Sequence, residues 1–300
     1  MTRVVTIVTL TYKRFDLLFN AIDSVIMQDY PQIEYIISDD GSPDFPKEEI
    51  LKYIDKKRRS GLLNVKVLAN KHNLGTVRNI NQAYRQASGD IIIPLSADDA
   101  FFDSTVVSKI VNTYEKRSCN ALIVGRAVFD NENNFVKNIP NRSERKILER
   151  YRDNKYQYQL FITGCSFEAY SGSVLSFRKQ FIENWGYFDE QYTLWEDGPF
   201  FAKYLWENYL ECNFDIIGLK YRNDGVSGKN KHPKLIKDDE QFIKTDKIAH
   251  INELPFIKRD IVKFSVGIHS SDSKWKYIEA FIKHPLGFFA KLFYCIRSKI

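Results

Sequence analysis

The run Ile91-Ile92-Ile93, followed by Pro94-Leu95-Ser96-Ala97-Asp98-Asp99, constrains the fold more than any other stretch of this chain. Three consecutive β-branched apolar residues read as a strand buried on both faces, as in a parallel sheet. Two adjacent carboxylates follow at the strand's carboxyl end, where open α/β sheets bind their ligands. Acids in such a place are costly unless a cation or a hydrogen-bonded ligand compensates them. A turn, or an N-cap for the helix expected near Thr105, would also account for one of them. The neighbouring segments decide between these readings.

The same arrangement recurs upstream. Residues 4–9 predict an apolar strand, and Leu17, Leu18, Ala21, Ile22, Val25 and Ile26 follow at helical spacing. Residues 33–37 predict a second strand, running into Ser38-Asp39-Asp40-Gly41-Ser42. Residues 65–69 predict a third, leading to Asn73-Leu74-Gly75-Thr76-Val77-Arg78-Asn79 and a helix carrying Ile80, Ala83, Tyr84 and Ala87. This alternation implies βαβ units and a parallel sheet. Each strand ends in a polar cluster: Thr11 to Arg14, Asp39-Asp40, Asn73 with Arg78, and Asp98-Asp99. Four such clusters on one edge of one sheet describe a binding site. Arg78 adds a planar cationic fork suited to a phosphate or an acid.

With these residues in place, the chain resembles glycosyltransferase family 2, of the GT-A fold, over residues 4 to about 225. Thr9-Leu10-Thr11-Tyr12-Lys13-Arg14 is similar to the family's opening strand end, with Leu10 where proline is usual. Ser38 to Ser42 resembles its uracil-binding turn, and Asn73 to Asn79 its Asn-x-Gly motif, with Val77 in place of alanine. Ser96-Ala97-Asp98-Asp99 falls on its metal motif, with Ser96 replacing the first acid. Trp195-Glu196-Asp197, preceded by Gly186-Tyr187-Phe188-Asp189-Glu190, matches its base motif.

The resemblance implies an α/β GT-A fold, a Rossmann-like mixed sheet with flanking helices and a C-terminal helical tail. The charge and aromatic content predict a basic-aromatic helical region at 231–300, and the resemblance places a catalytic domain at 1–230, with a nucleotide-binding half (1–100) and an acceptor half (101–230). It implies UDP-sugar binding by Thr11, Tyr12, Arg14, Asp39, Asp40, Asn73, Arg78, Asp98 and Arg222. Mn²⁺ or Mg²⁺ would be held by Asp98 and Asp99, with Asp197 as general base beside Glu196. Adjacent residues cannot share a helix face, so one member of that pair is expected to enter the cleft while the other is held by structure. The resemblance also implies inversion at the anomeric carbon and a glycan acceptor hydroxyl, lipid-linked in cell-surface polysaccharide synthesis. Tyr221 to Gly228 resembles the family's late loop. Its common histidine is absent, with Asp224 near its place and His232 a few residues on.

Composition bounds the alternatives. Three hundred residues with 44% hydrophobic content can bury a substantial core in one large domain. Cys119, Cys165, Cys212 and Cys295 show no metal or redox spacing and are expected to be reduced thiols in the cytoplasm. A strand at the start predicts no signal peptide, and no apolar run is long enough to span a bilayer. A nucleotidyltransferase would need a Gly-rich loop after the first strand, and Thr11 to Arg14 has no glycine. A non-catalytic partner subunit would explain Ser96, but not the retention of Asp98, Asp99 and Asp197 together.

The formal net charge of +6 is concentrated at the end: residues 274–300 carry six Lys/Arg and one acid, Glu279. Leu286, Phe289, Phe293 and Ile296 recur there at helical spacing. Basic residues among aromatics predict peripheral attachment to an anionic membrane surface, the alternative being a helix packed on the core. Nucleic acid is not expected, since no recognised motif accompanies the basic tail.

Overall fold

The computed structural model describes residues 3–130, 132–164, 167–222, 232–269 and 274–297. The nucleotide half is the expected alternation: β1 (Val5–Thr11), α1 (Leu18–Ile26), β2 (Ile33–Asp39), α2 (Lys47–Lys57), β3 (Leu62–Ala69), α3 (Thr76–Arg85) and β4 (Ile91–Ser96). These four strands run parallel in the order β3-β2-β1-β4, with Thr11 level with Asp39 and Leu10 level with Ser96. Their carboxyl ends therefore share one edge, and the order reverses between β1 and β4. A crevice opens at such a switch point.

A two-residue strand, β5 (Ala100–Phe101), and α4 (Val106–Lys116) lead into the second half. There follow β6 (Ala121–Phe129), β7 (Phe135–Ile139), α5 (Arg142–Leu148), α6 (Asn154–Ile162), β8 (Leu175–Arg178), α7 (Lys179–Trp185), α8 (Asp197–Glu207) and β9 (Glu211–Arg222). The sheet continues from β4 through β8, β6 and β9 to β5, with antiparallel pairs at β4/β8, β6/β8 and β5/β9, so it is mixed. The β5/β9 pair sets Ala100 opposite Lys220, and Phe102 N–H donates to Gly218 O at 3.0 Å. That small ladder anchors the turn carrying Asp98 and Asp99.

Both faces of the sheet are covered, so β1, β2 and β4 are buried almost throughout. Tyr35 and Ile37 point to one face with Leu18, Ile22, Ile50 and Ile110, and Ile36 to the other with Ile80, Tyr84 and Phe201. The second face holds edge-to-face aromatics, including Phe177 with Phe200 at 5.1 Å, a packing worth about 0.5–1.5 kcal/mol beyond area burial.

The chain ends in four helices: α9 (Pro233–Lys244), α10 (Phe256–Gly267), α11 (Lys274–Lys283) and α12 (Pro285–Arg297). Phe288 turns inward onto Phe264 at 5.5 Å, and Lys291 reaches Ser265 Oγ at 2.8 Å. The stripe expected from the sequence faces outward instead: Leu286, Phe289, Phe293 and Ile296 are each more than half exposed. Among the described residues no helix is long and apolar enough to cross a membrane. Cys119 and Cys212 are free thiols, and burial pushes both above the usual thiol range. Cys165 and residues 223–231, including Asp224, lie outside the described residues.

Candidate active site

A cleft of about 520 Å³ opens at the carboxyl ends of β1 and β4. Thr11, Tyr12 and Arg14 line it from β1, Asn73, Thr76 and Asn79 from the start of α3, and Ser96 and Asp98 from the end of β4. Glu196, Gly172 and Ser173 form part of the far wall, with His232 and Lys234 at the start of α9.

The Asp39-Asp40 doublet divides its work, because successive side chains at a strand end point to opposite sides. Asp39 is fully buried, and its carboxylate accepts Ser42 N–H at 2.7 Å and Ser42 Oγ–H at 2.6 Å. Ser42 Oγ in turn accepts Lys13 N–H at 2.8 Å, tying the β2 turn to the end of β1. Asp40 lines the cleft and accepts the backbone N–H groups of Leu74 (2.8 Å) and Gly75 (2.9 Å), which closes the Asn73 loop over it. Gly75 has φ +91°, and a Cβ there would lie 2.6 Å from Thr193 O. Only glycine meets both demands.

Asp98 and Asp99 divide in the same way. Asp98 lines the cleft, whereas Asp99 is buried and accepts Arg222 N–H at 3.2 Å, holding the end of β9. Among the described residues no group of three His, Cys, Asp or Glu side chains could enclose a metal. One cleft carboxylate suits a hard divalent ion that takes its remaining ligands from phosphates and water, the usual magnesium arrangement. The donor set thus fits a metal carried in with a diphosphate.

The third doublet opens α8. Glu196 lines the cleft, and Asp197 sits against Gly172, whose N–H donates to Asp197 Oδ2 at 2.7 Å. Burial, the neighbouring Asp197 and then Asp238 push the Glu196 carboxyl well above the usual carboxylate range. Burial also raises Asp197, but hydrogen bonds from Gly172, the Trp195 indole and Gly198, with the nearby Arg126, oppose that rise. The negative end of the pair therefore rests on Asp197, at the N-terminus of a helix, and the shared proton on Glu196. Arg126 is itself buried, with its guanidinium 4.6 Å from the Tyr221 ring and donating to Glu168 O at 2.9 Å.

Of the residues expected from the sequence, the cleft gathers Thr11, Tyr12, Arg14, Asp40, Asn73, Asp98 and Glu196, with Asp197 bonded to the cleft-lining Gly172. Asp39, Asp99 and the Arg222 backbone form the supporting layer just described. Arg78 faces elsewhere: it is 58% exposed and its guanidinium lies 3.7 Å from Glu190. Gly172, Arg126, Lys234 and Asp238 were not anticipated. The one local signal for Arg126 is a single cation inside the apolar strand Ala121–Phe129.

Gly172 gives a direct test of the pair's geometry. An added Cβ would sit 2.8 Å from Glu196 Oε1 and 3.2 Å from Asp197 Cβ. Gly172→Ala should lower turnover by about 10–100-fold through misplacement, with UDP affinity, read by calorimetry, little changed. Unaltered turnover would mean that the pair tolerates displacement.

A doubly covered, partly parallel sheet with acid doublets around a cleft at its switch point defines a GT-A-type nucleotide-binding fold. The family model "Glycosyl transferase family 2" matches residues 6–178, and the chain belongs to that family. It is 25% identical over 248 residues to the bifunctional glycosyltransferase pgtA of Dictyostelium discoideum, covering 74% of this chain and 32% of that protein. It is 29% identical over 194 residues to a GalNAc(5)-diNAcBac-PP-undecaprenol beta-1,3-glucosyltransferase of Campylobacter jejuni, covering 62% of this chain and 56% of that protein. The chain thus spans about a third to just over half of these relatives' lengths. Among solved structures it is similar in fold to S. aureus TarS in complex with UDP-GlcNAc, with TM-score 0.63, 17% identity, and 95% and 81% of the two chains covered. The mannosyltransferase PcManGT of Pyrobaculum calidifontis, in complex with GDP-Man and Mn²⁺, matches with TM-score 0.55, 14% identity, and 100% and 86% covered.

Proposed function

We propose that this chain is an inverting glycosyltransferase that moves a sugar from a UDP-sugar to a hydroxyl of a glycan acceptor. The observation that carries this reading is the meeting of Asp98, at the end of β4, and the Glu196-Asp197 pair in one cleft with the Asp40-held loop. The uridine is assigned to the end bounded by Thr11, Tyr12 and Asp40. Tyr12 is 40% exposed there and offers a ring face. A divalent ion held by Asp98 together with the diphosphate would stabilise the charge that develops on the leaving UDP.

Asp197, as the charged member of the pair, accepts the proton of the attacking acceptor hydroxyl. Glu196, as the protonated member, donates a hydrogen bond into the cleft. Arg126 steadies the charge on Asp197 from the buried side. One base and a single displacement invert the anomeric centre. Incubation with a panel of UDP-sugars should release UDP, with product of inverted configuration by NMR. Retention of configuration would contradict the mechanism.

The acceptor is assigned to a lipid-linked glycan. Support comes from the outward face of α11 and α12, where Trp275, Ile282, Leu286, Phe289 and Phe293 are 54–77% exposed. The basic residues of the same tail match an anionic bilayer surface, each worth about 1 kcal/mol when close to it. Phe289→Ser/Phe293→Ser should release the full chain from anionic vesicles in a sedimentation assay while preserving UDP binding. Retention on the vesicles would remove the membrane assignment.

A further inference from the structure

Asp238, in the middle of α9, is 4% exposed. Its carboxylate accepts three successive backbone N–H groups: Thr193 at 3.0 and 3.1 Å, Leu194 at 2.6 Å and Trp195 at 3.1 Å. Charge-assisted bonds of this kind fix the orientation of the backbone that makes them. That backbone leads straight into Glu196. On its other side, Thr193 O accepts Val77 N–H at 3.1 Å, so the segment is gripped between α3 and α9.

Trp195 carries the restraint onward. Its ring packs on Phe242, one turn beyond Asp238 on the same helix, at 4.9 Å. It also lies over Gly198, where a Cβ would come within 2.5 Å of the indole. Its indole nitrogen lies 2.9 Å from where that Cβ would be, at the residue following Asp197, and the Trp195 side chain favours the charged form of the Asp197 carboxyl.

We propose that Asp238 is a positioning residue for the acid pair: it holds the 193–195 backbone and, through the Trp195 indole, orients the Asp197 carboxylate. The inference rests on Asp197 being the base. Without Asp238 three part-buried N–H groups lose their acceptor, each a costly omission, and the indole loses its fixed anchor. The cleft lining at Thr11, Asp40 and Asp98 is untouched, so UDP binding is preserved while the chemical step slows. The buried Asp238 also pushes the Glu196 carboxyl upward, which adds to the charge division within the pair.

The experiment uses the full chain labelled with ¹⁵N-tryptophan, with the Trp195 indole resonance assigned by Trp195→Phe. Asp238→Asn keeps the side-chain shape and one acceptor oxygen. It should move the Trp195 indole resonance in the same direction as Asp197→Asn does, while those of Trp185 and Trp206 stay in place. Turnover, measured with the UDP-sugar that gives the fastest UDP release, should fall about 10-fold with the affinity for UDP retained. If Asp238→Asn does not fold, Trp195→Phe keeps a ring beside Phe242 but removes the indole N–H, and should give the same loss of turnover with UDP affinity kept. An unmoved Trp195 indole in folded Asp238→Asn, or full turnover in Trp195→Phe, overturns the proposal. Full turnover in Asp197→Asn would instead refute the base assignment, and the indole shift would still decide whether Asp238 positions that carboxylate.

Discussion

Asp197→Asn should lower turnover by about 10²-fold or more, because the amide keeps the shape but cannot accept a proton. UDP affinity should be nearly unchanged, since Asp197 is held by Gly172 and not by Thr11, Tyr12 or Asp40, the residues assigned to the uridine. Glu196→Gln should act differently. Its amide still donates a hydrogen bond, so activity near pH 7 should fall by only about 10-fold or less. The wild-type rate should decline above about pH 8 as Glu196 gives up its proton, and that decline should vanish in Glu196→Gln.

Stability follows the same sign. The folded-state carboxyl of Glu196 titrates above its ordinary value of 4.5, so folding favours its neutral form. Stability is therefore lost as pH rises from about 4.5 to about 8. Glu196→Gln should be more stable than wild type by on the order of 1 kcal/mol at pH 8 and indistinguishable at pH 4, read as Tm by calorimetry. If Glu196→Gln is the inactive variant and Asp197→Asn retains activity, the roles within the pair are reversed.

Asp98→Ala should have the next largest effect. Asp98 is the member of its doublet that lines the cleft, and one carboxylate is enough for a magnesium-type site completed by phosphates. Its loss should lower metal-stimulated UDP release by about 10²-fold or more and leave little further sensitivity to chelator. Asp99→Ala should damage the protein in another way, by releasing the end of β9 at Arg222. Its signature should be a lower Tm before any specific loss of metal dependence. Equal metal dependence in wild type and Asp98→Ala would remove Asp98 from the metal site.

The nucleotide half was legible because its signals are local. Ile91 to Ile93 and residues 33–37 announce buried strands, and the spacing of Leu18, Ala21, Ile22 and Val25 announces the helix between them. The second half was less legible. Its strands pair across long excursions, β6 running parallel to β9 some ninety residues later, and no local pattern encodes such a pairing.

The site divides along the same line. Each acid doublet was visible, and alternation of side-chain direction explains why one member of each supports the other. Arg78 was placed by motif, but helical phase decides where it points. Thr76, Asn79 and Ile80 share the helix face that lines the cleft, and at about 100° per residue Arg78 falls on the opposite face, toward Glu190. Gly172, Arg126 and Asp238 reach the acid pair through tertiary packing alone, from a short 3₁₀ turn (Gly172–Val174), a central strand and a C-terminal helix.

Calorimetric titration of the 300-residue chain with UDP, GDP and CMP, each with Mn²⁺ and with excess chelator, tests the assignment of a UDP-sugar transferase most directly. UDP should bind at least about ten times more tightly than GDP or CMP, and its affinity should collapse when the metal is removed. Equal affinity for the three nucleotides, or UDP binding indifferent to chelator, would contradict it.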